Sequence, residues 1–315
     1  MVTLRPCDHL PLPLFASVMG LSGLAMVWRA LETLWGWPAM VSAGVTVLAA
    51  VVFVLLIFGY LCKFVTSPER VHAELAHPVR INFLPAFSIN LILLGILITP
   101  WHEGLGHELW RLGAVVQLLL TLIIVSVWLN TERPAESINP VWFIPAVGNV
   151  LVPVAAAPAG YPLLGWFFFS IGCFFWVVLG TVVLYRLITG PALEPAMRPS
   201  LAILVAPPAV AALALQALLG EMTHGVFFFY AVALFLFGLL VLQIPGFLKL
   251  PYFPSWWAYT FPSAAFTVAT FQFAAVHGVF SHTLLTLMGL AVTVLVTIVF
   301  GRTLLALARG EMAQH

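Results

Sequence analysis

Ser255-Trp256-Trp257-Ala258-Tyr259-Thr260-Phe261-Pro262-Ser263-Ala264-Ala265 reads as the start of a membrane helix with a bend in it. An aromatic pair leads, and tryptophan is favoured at the headgroup level, where one end of the ring is wet and the other dry. A proline follows a few residues later. Proline removes a backbone donor and kinks a helix, so Phe261 is aimed by the bend at Pro262. The small residues after it let another helix or a permeating ion come close. The stretch therefore predicts a pore-lining helix, with Phe261 as a candidate plug.

The rest of the chain has the composition such a helix needs. Of 315 residues, 63% are hydrophobic and 7% charged, against about 25% charged in an average soluble domain. No soluble fold of this size hides that much apolar surface, so the chain is read as an all-α integral membrane protein. The net charge of +1 gives no basis for nucleic-acid binding. Cys7, Cys62 and Cys173 are far apart and lack metal-ligand spacing. Arg5 and Asp8 are the first charges, and no small-residue cleavage site closes the apolar stretch reaching Trp28, so a removable signal peptide is not expected.

A spanning helix needs about 20 mostly apolar residues. Ten segments qualify: 12–34, 39–65, 81–100, 109–130, 141–158, 162–188, 199–220, 224–247, 256–277 and 281–307. The loops between them are short, so residues 1–315 are read as one membrane domain. With ten spans the termini share a side. Arg5, Lys63, Arg70, Arg80, Arg133, Arg186, Arg198, Lys249, Arg302 and Arg309 fall on that side, and Arg29 and Arg111 on the other. Basic residues mark the cytoplasmic face, which predicts cytoplasmic termini in the cell inner (plasma) membrane.

Every odd segment carries an early proline in a short frame: Pro13, Pro85, Pro145, Pro208 beside Pro207, and Pro262. Successive steps are 72, 60, 63 and 54 residues, each about one two-helix hairpin. The even segments are smoother and more uniformly apolar. The pattern predicts five hairpins inserted in the same sense, in a quasi-fivefold arrangement. Kinked helices with small residues form an inner ring around a central pore, and smooth helices face lipid.

The middles of the odd segments hold no Asp, Glu, Lys, Arg or His. Buried ionisable residues mark proton relays and tightly coupled pumps, so their absence favours passive passage. Ser88, Asn90, Asn149, Thr267 and Thr270 offer neutral polar groups that either line the pore or join helices by hydrogen bonds. Weak contacts of this kind suit conduction. His102, Glu103, His107 and Glu108 cluster on the outer side with His224, His277 and His282, but a five-residue spacing does not put the His-Glu pairs on one helix face. No metal, no cofactor and no enzymatic activity are expected. Arg29 and Glu32, three apart, read as an ion pair or as part of an outer anion vestibule.

The chain resembles the tellurite-resistance/dicarboxylate transporter family, which takes in TehA-like proteins and the plant slow anion channels. The resemblance rests on Gly20-Leu21-Ser22-Gly23-Leu24-Ala25, His77-Pro78-Val79-Arg80, Trp142-Phe143-Ile144-Pro145-Ala146-Val147, Leu193-Glu194-Pro195 with Arg198, Leu204-Val205-Ala206-Pro207 and Trp257-Ala258-Tyr259-Thr260-Phe261. It implies five helical hairpins around a pore, a homotrimer with one pore per subunit, and a gating phenylalanine in the ninth helix, which Phe261 fits. Pro262 follows the plant-like pattern, where TehA-like members can carry glycine. The long regulatory tails of the plant channels have no counterpart here, so control by tail phosphorylation is not expected. The function implied is an anion channel or channel-like transporter for chloride, nitrate or similar anions. A secondary carrier for C4-dicarboxylates, sulfite or tellurite oxyanions is the alternative.

Overall fold

The structure, a computed structural model, describes residues 10–310; Arg5 and Cys7 lie outside the described residues. It is helical throughout, with no strand among the described residues. The helices are α1 (Ala16–Trp35), α2 (Met40–Thr66), α3 (Pro68–Ala76), α4 (Ala86–Ile98), α5 (Glu103–Asn130), α6 (Phe143–Val147), α7 (Val152–Ala156), α8 (Pro162–Thr189), α9 (Ala206–Leu219), α10 (His224–Phe247), α11 (Thr260–His277) and α12 (His282–Ala308).

Among the described residues, eight helical stretches are long and apolar enough to cross a membrane. Two of the ten apolar segments read from the sequence are not among them, and each has a physical reason. Around 141–158, prolines at 140, 145 and 153 repeatedly withdraw amide donors. The backbone answers by alternating 3-10 turns (Pro140–Trp142, Gly148–Leu151) with the short helices α6 and α7. In α11 the hydropathy is diluted by Thr260, Ser263, Thr267, Thr270, Gln272 and His277.

The prolines set how the odd segments begin. Each is led by a 3-10 turn: Leu12–Phe15, Arg80–Phe83, Pro140–Trp142, Arg198–Val205 and Pro254–Tyr259. A proline leaves the carbonyl four residues earlier without its α-helical partner. Before Pro85 that carbonyl is Ile81's, and the Leu84 amide takes it at 3.0 Å. The tighter i→i+3 pattern is the local consequence.

Burial separates the two textures. Within Leu12–Trp35, Arg80–Ile98 and Arg198–Leu219, 56 to 78% of the best window is buried; in the smooth helices the share is 17 to 28%. Exposed Leu, Val and Phe dominate the smooth helices, a surface suited to lipid chains. Helices adjacent in the chain pack together: α1 on α2, α4 on α5, α7 on α8, α9 on α10 and α11 on α12. Contacts among the proline-bearing helices close on themselves: α1 meets α4, α4 meets α7, α7 meets α9, α9 meets α11, and α11 returns to α1.

Four charged side chains fasten helix ends. Arg29 and Glu32 do not pair with each other. Glu32 Oε1 accepts the amides of Val41 (2.7 Å) and Ser42 (3.1 Å), so this buried carboxylate caps the first turn of α2. Arg29 Nη2 donates to Leu97 O (2.7 Å) in the last turn of α4, and the guanidinium lies over Trp101. An anion at a helix N-terminus and a cation at a C-terminus both oppose the helix dipole. The arginine is thereby spent on α4. Glu32→Ala is expected to cost about 1–2 kcal/mol, the range for a lost N-terminal cap. Glu32→Gln, which keeps an acceptor, should retain most of the wild-type melting temperature in detergent. Equal melting points for Glu32→Ala and wild type would show the cap to be energetically idle. At the other end of α2, Lys63 Nζ lies 3.0 Å from Glu74 Oε2, which Tyr60 also contacts, and this holds α3 against α2.

Candidate functional site

A cavity of about 90 Å³ lies where the five proline-bearing segments converge. Pro13, Ala16 and Met19 contribute from the first; Phe83 and Ile89 from the second; Phe143, Ile144, Val147 and Leu151 from the third. Ile203, Ala206, Pro207 and Val210 come from the fourth, and Pro254, Ser255, Trp257, Ala258, Phe261 and Pro262 from the fifth. None of α2, α5, α8, α10 or α12 contributes a lining residue. A second cavity of about 20 Å³ is lined by Gly23, Met26, Leu151, Val154, Val210, Leu213, Phe261, Ala264, Ala265 and Val268.

Three residues line both cavities: Phe261, Leu151 and Val210. In each contributing helix the second cavity takes residues later in the chain than the first, as with Met19 then Met26, or Ala258 then Val268. The two cavities therefore follow one another along these segments, with Phe261, Leu151 and Val210 common to both linings. Phe261 is only 9% exposed. Glycine at 23 opens the space beside it, since a Cβ there would stand 2.7 Å from Ala264 Cβ and 3.5 Å from Phe261 Cδ2.

The lining is apolar except for Ser255, whose hydroxyl donates to Ala196 O. The five neutral polar residues picked from the sequence lie elsewhere. Ser88, Asn90, Asn149, Thr267 and Thr270 are all buried, and none lines either cavity. Thr267 and Thr270 return their hydroxyls to carbonyls four residues earlier, Ser263 O and Phe266 O, each within the α11 turn. Asn90 Nδ2 donates to Phe15 O at 2.8 Å and ties α4 to the turn before α1. Ser88 and Asn149 belong to a network around Gln117 of α5. Ser88 Oγ reaches Gln117 Oε1 (2.7 Å), Gln117 Nε2 donates to Pro145 O (2.9 Å), Thr121 Oγ1 reaches the same carbonyl (2.7 Å), and Asn149 Nδ2 donates to Thr121 Oγ1 (2.8 Å). With no water available, a polar group inside a membrane must find protein partners.

Gln117→Leu is expected to cost about 1–3 kcal/mol, the penalty for stranding buried polar partners. It should leave the order of anion permeabilities unchanged. A reordered permeability series, measured by flux of chloride, nitrate and sulfate, would place this network on the conduction path instead.

The proline pattern meets the cavities in part. Pro13 and Pro262 line the larger one; Pro85, Pro145 and Pro208 do not, and Pro207 rather than Pro208 faces it. Trp257, read from sequence as an interfacial aromatic, is 1% exposed and sits in the core, while Trp256 Nε1 donates to Pro251 O nearer the surface. Leu151 and Val210 carry no signal in the sequence, because their place depends on five segments meeting. Gln117 had one: an amide inside an otherwise apolar run.

Charged groups lie outside this region. Arg133 Nη1 donates to Pro78 O and stacks on Trp142, and burial lowers its pKa from the ordinary arginine value. Arg186 Nη1 donates to Pro191 O. Among the histidines at helix ends, His102 Nδ1 accepts the Leu105 amide as a cap of α5, His277 packs on Phe273, and His282 meets Trp35 edge-on. Among the described residues, no three His, Cys, Asp or Glu side chains gather in a way that would hold a metal ion.

Residues 9–304 match the family described as voltage-dependent anion channel, SLAC1. The chain is 30% identical to the S-type anion channel SLAH3 of Arabidopsis thaliana over 84% of its own length and 43% of that protein's. It is 29% identical to the guard cell S-type anion channel SLAC1 of the same plant, over 94% of its length and 55% of that protein's. With the tellurite resistance protein TehA homolog of Haemophilus influenzae it shares 32% identity over 63% of its length and 61% of the relative's. The chain thus spans about half the length of the plant relatives.

Proposed function

The chain belongs to the SLAC1 voltage-dependent anion channel family, and from that premise we propose a passive channel, or channel-like transporter, for small anions such as chloride or nitrate, gated by Phe261. It is a multi-pass membrane protein. The observation that carries the reading is a pair of apolar cavities, both lined by the proline-bearing segments, that share Phe261 with Leu151 and Val210. An aromatic ring across a narrow apolar passage blocks it sterically and by excluding water.

The same reading takes all ten apolar segments as spans, the five kinked ones inside and the five smooth ones outside, in a quasi-fivefold arrangement of hairpins within one domain. The closed cycle of contacts among α1, α4, α7, α9 and α11 supports it. In that arrangement the irregular backbone around residues 141–158 is buried in protein, where a membrane tolerates it. Cytoplasmic termini, the inner (plasma) membrane and a homotrimer with one pore per subunit belong to the proposal. Of the five polar residues read from sequence, Ser88, Asn90 and Asn149 are assigned to joining segments through the hydrogen bonds they donate, while Thr267 and Thr270 bond within α11.

Purified protein in liposomes tests the proposal: chloride or nitrate should move down its gradient without saturating and without need of a pH gradient. Saturable accumulation of a labelled C4-dicarboxylate or sulfite driven by a pH gradient, with no chloride flux, would replace the channel with a carrier.

A further inference from the structure

We infer that Thr303 and Trp257 are positioning residues that hold the Phe261 gate closed from the outer layer of helices; the inference rests on the gate reading proposed above. Thr303 lies on α12, which lines neither cavity. Its Oγ1 donates to Val299 O (2.8 Å), stands 2.9 Å from Trp257 Nε1, and stands 2.7 Å from Tyr252 OH. A threonine hydroxyl has one hydrogen and two lone pairs. With the hydrogen given to Val299, the indole N–H and the phenol O–H fill both lone pairs. All three side chains are buried, so removing the acceptor strands two donors.

Trp257 lies in the 3-10 turn that leads into α11, four residues before Phe261. It lines the larger cavity directly before the gate ring. Its ring is wedged against α1 at Gly20, where a Cβ would come within 2.9 Å of Trp257 Cε3 and would overlap Thr260 Oγ1. The indole is thus fixed at both ends, by α1 on its ring and by Thr303 on its nitrogen. The turn Pro254–Tyr259 is held with it, and this turn sets where α11 starts. Tyr252, the other donor, sits in the loop before that turn with Arg302 over its ring at 5.9 Å. The contacts run from the loop to Thr303 to Trp257, which shares the lining of the larger cavity with Phe261, and on this inference they bias the ring toward the closed position.

The test is chloride flux in liposomes at matched protein incorporation, for wild type, Thr303→Val, Thr303→Ser, Phe261→Ala and the double variant Thr303→Val with Phe261→Ala. Valine keeps the shape and loses the acceptor; serine keeps the acceptor. Thr303→Val should raise basal flux about three- to tenfold, the population shift expected from loss of a buried hydrogen bond. Thr303→Ser should match wild type, and Thr303→Val should add nothing to Phe261→Ala. Unchanged or lowered flux in Thr303→Val beside a conducting Phe261→Ala would overturn the inference and leave the gate standing. An equal fold increase in both backgrounds would also overturn it, since the effect would then bypass the ring. If Thr303→Val fails to fold, Trp257→Phe and Tyr252→Phe each delete one donor and must show the same dependence on Phe261. No gain in Phe261→Ala removes the gate assignment and this inference with it.

Discussion

Phe261→Ala is expected to raise chloride and nitrate flux tenfold or more at equal surface expression. The ring is the side chain of α11 that lines both cavities at their partition, and truncation removes all of it beyond Cβ. Leu151 and Val210, which line the same partition, are branched and short. A tenfold change corresponds to about 1.4 kcal/mol off the barrier. That is modest against the cost of moving a partly dehydrated anion past a fixed apolar ring, so tenfold is a lower bound. The cost in stability should be toward the lower end of the ~3–5 kcal/mol of an ordinary buried Phe→Ala, because the ring borders two cavities. Patch recording in oocytes or flux in liposomes decides it. If wild type and Phe261→Ala conduct equally poorly while labelled dicarboxylate or sulfite accumulates with a pH gradient, Phe261 is a packing residue.

Gly113→Val is expected to abolish correctly folded protein. On α5, a Cβ at residue 113 would meet Ile92 N and Ser88 O of α4, each at 2.9 Å, and Ile92 Cγ1 at 2.8 Å. Two of those three atoms are backbone, which no rotamer change can move. The same face of α5 carries Gly106, whose added Cβ would stand 2.6 Å from Thr99 N, and α4 answers with Gly95, whose Cβ would stand 2.7 Å from Trp110 N. Small residues let membrane helices approach closely enough for packing to hold them. Overpacking a core costs about 1–3 kcal/mol when side chains can yield; here the helices must part, which also pulls Ser88 from Gln117. Gly113→Val should run as aggregate on size exclusion, while Gly44→Val on α2, which has open space around it, should run as wild type. A monodisperse Gly113→Val with wild-type melting would refute the close approach.

The sequence carried the class of the molecule without help. Few charges and long apolar runs leave water-soluble folds no solution, because the apolar surface exceeds what a core of this size can bury. It also carried the two helix textures. Prolines recurring at hairpin length in every odd segment mark the helices that the structure buries, since each proline breaks the ladder at one known carbonyl and forces a 3-10 turn. Phe261 stood out in the sequence as an aromatic directly before a proline, and the structure places it in the lining of both cavities.

What lay beyond the sequence were relations across helices. That Phe261 shares its partition with Leu151 and Val210 depends on where three segments converge, and neither aliphatic residue differs in the sequence from dozens like it. Ser88, Asn90, Asn149, Thr267 and Thr270 were correctly placed on the proline-bearing segments, yet which way each faces was open. A hydroxyl or amide in an apolar medium binds the first partner the packing offers, and the tertiary structure supplied that partner from carbonyls and from Gln117. Arg29 and Glu32 are three residues apart and of opposite charge, so the chain alone suggests a pair. Packing brings α2's bare amides to one and α4's bare carbonyl to the other, and each charge goes where the backbone leaves a polar group unsatisfied. The amino-acid pattern determined which helices are kinked and which are smooth; only their assembly decided which side chains meet at the passage.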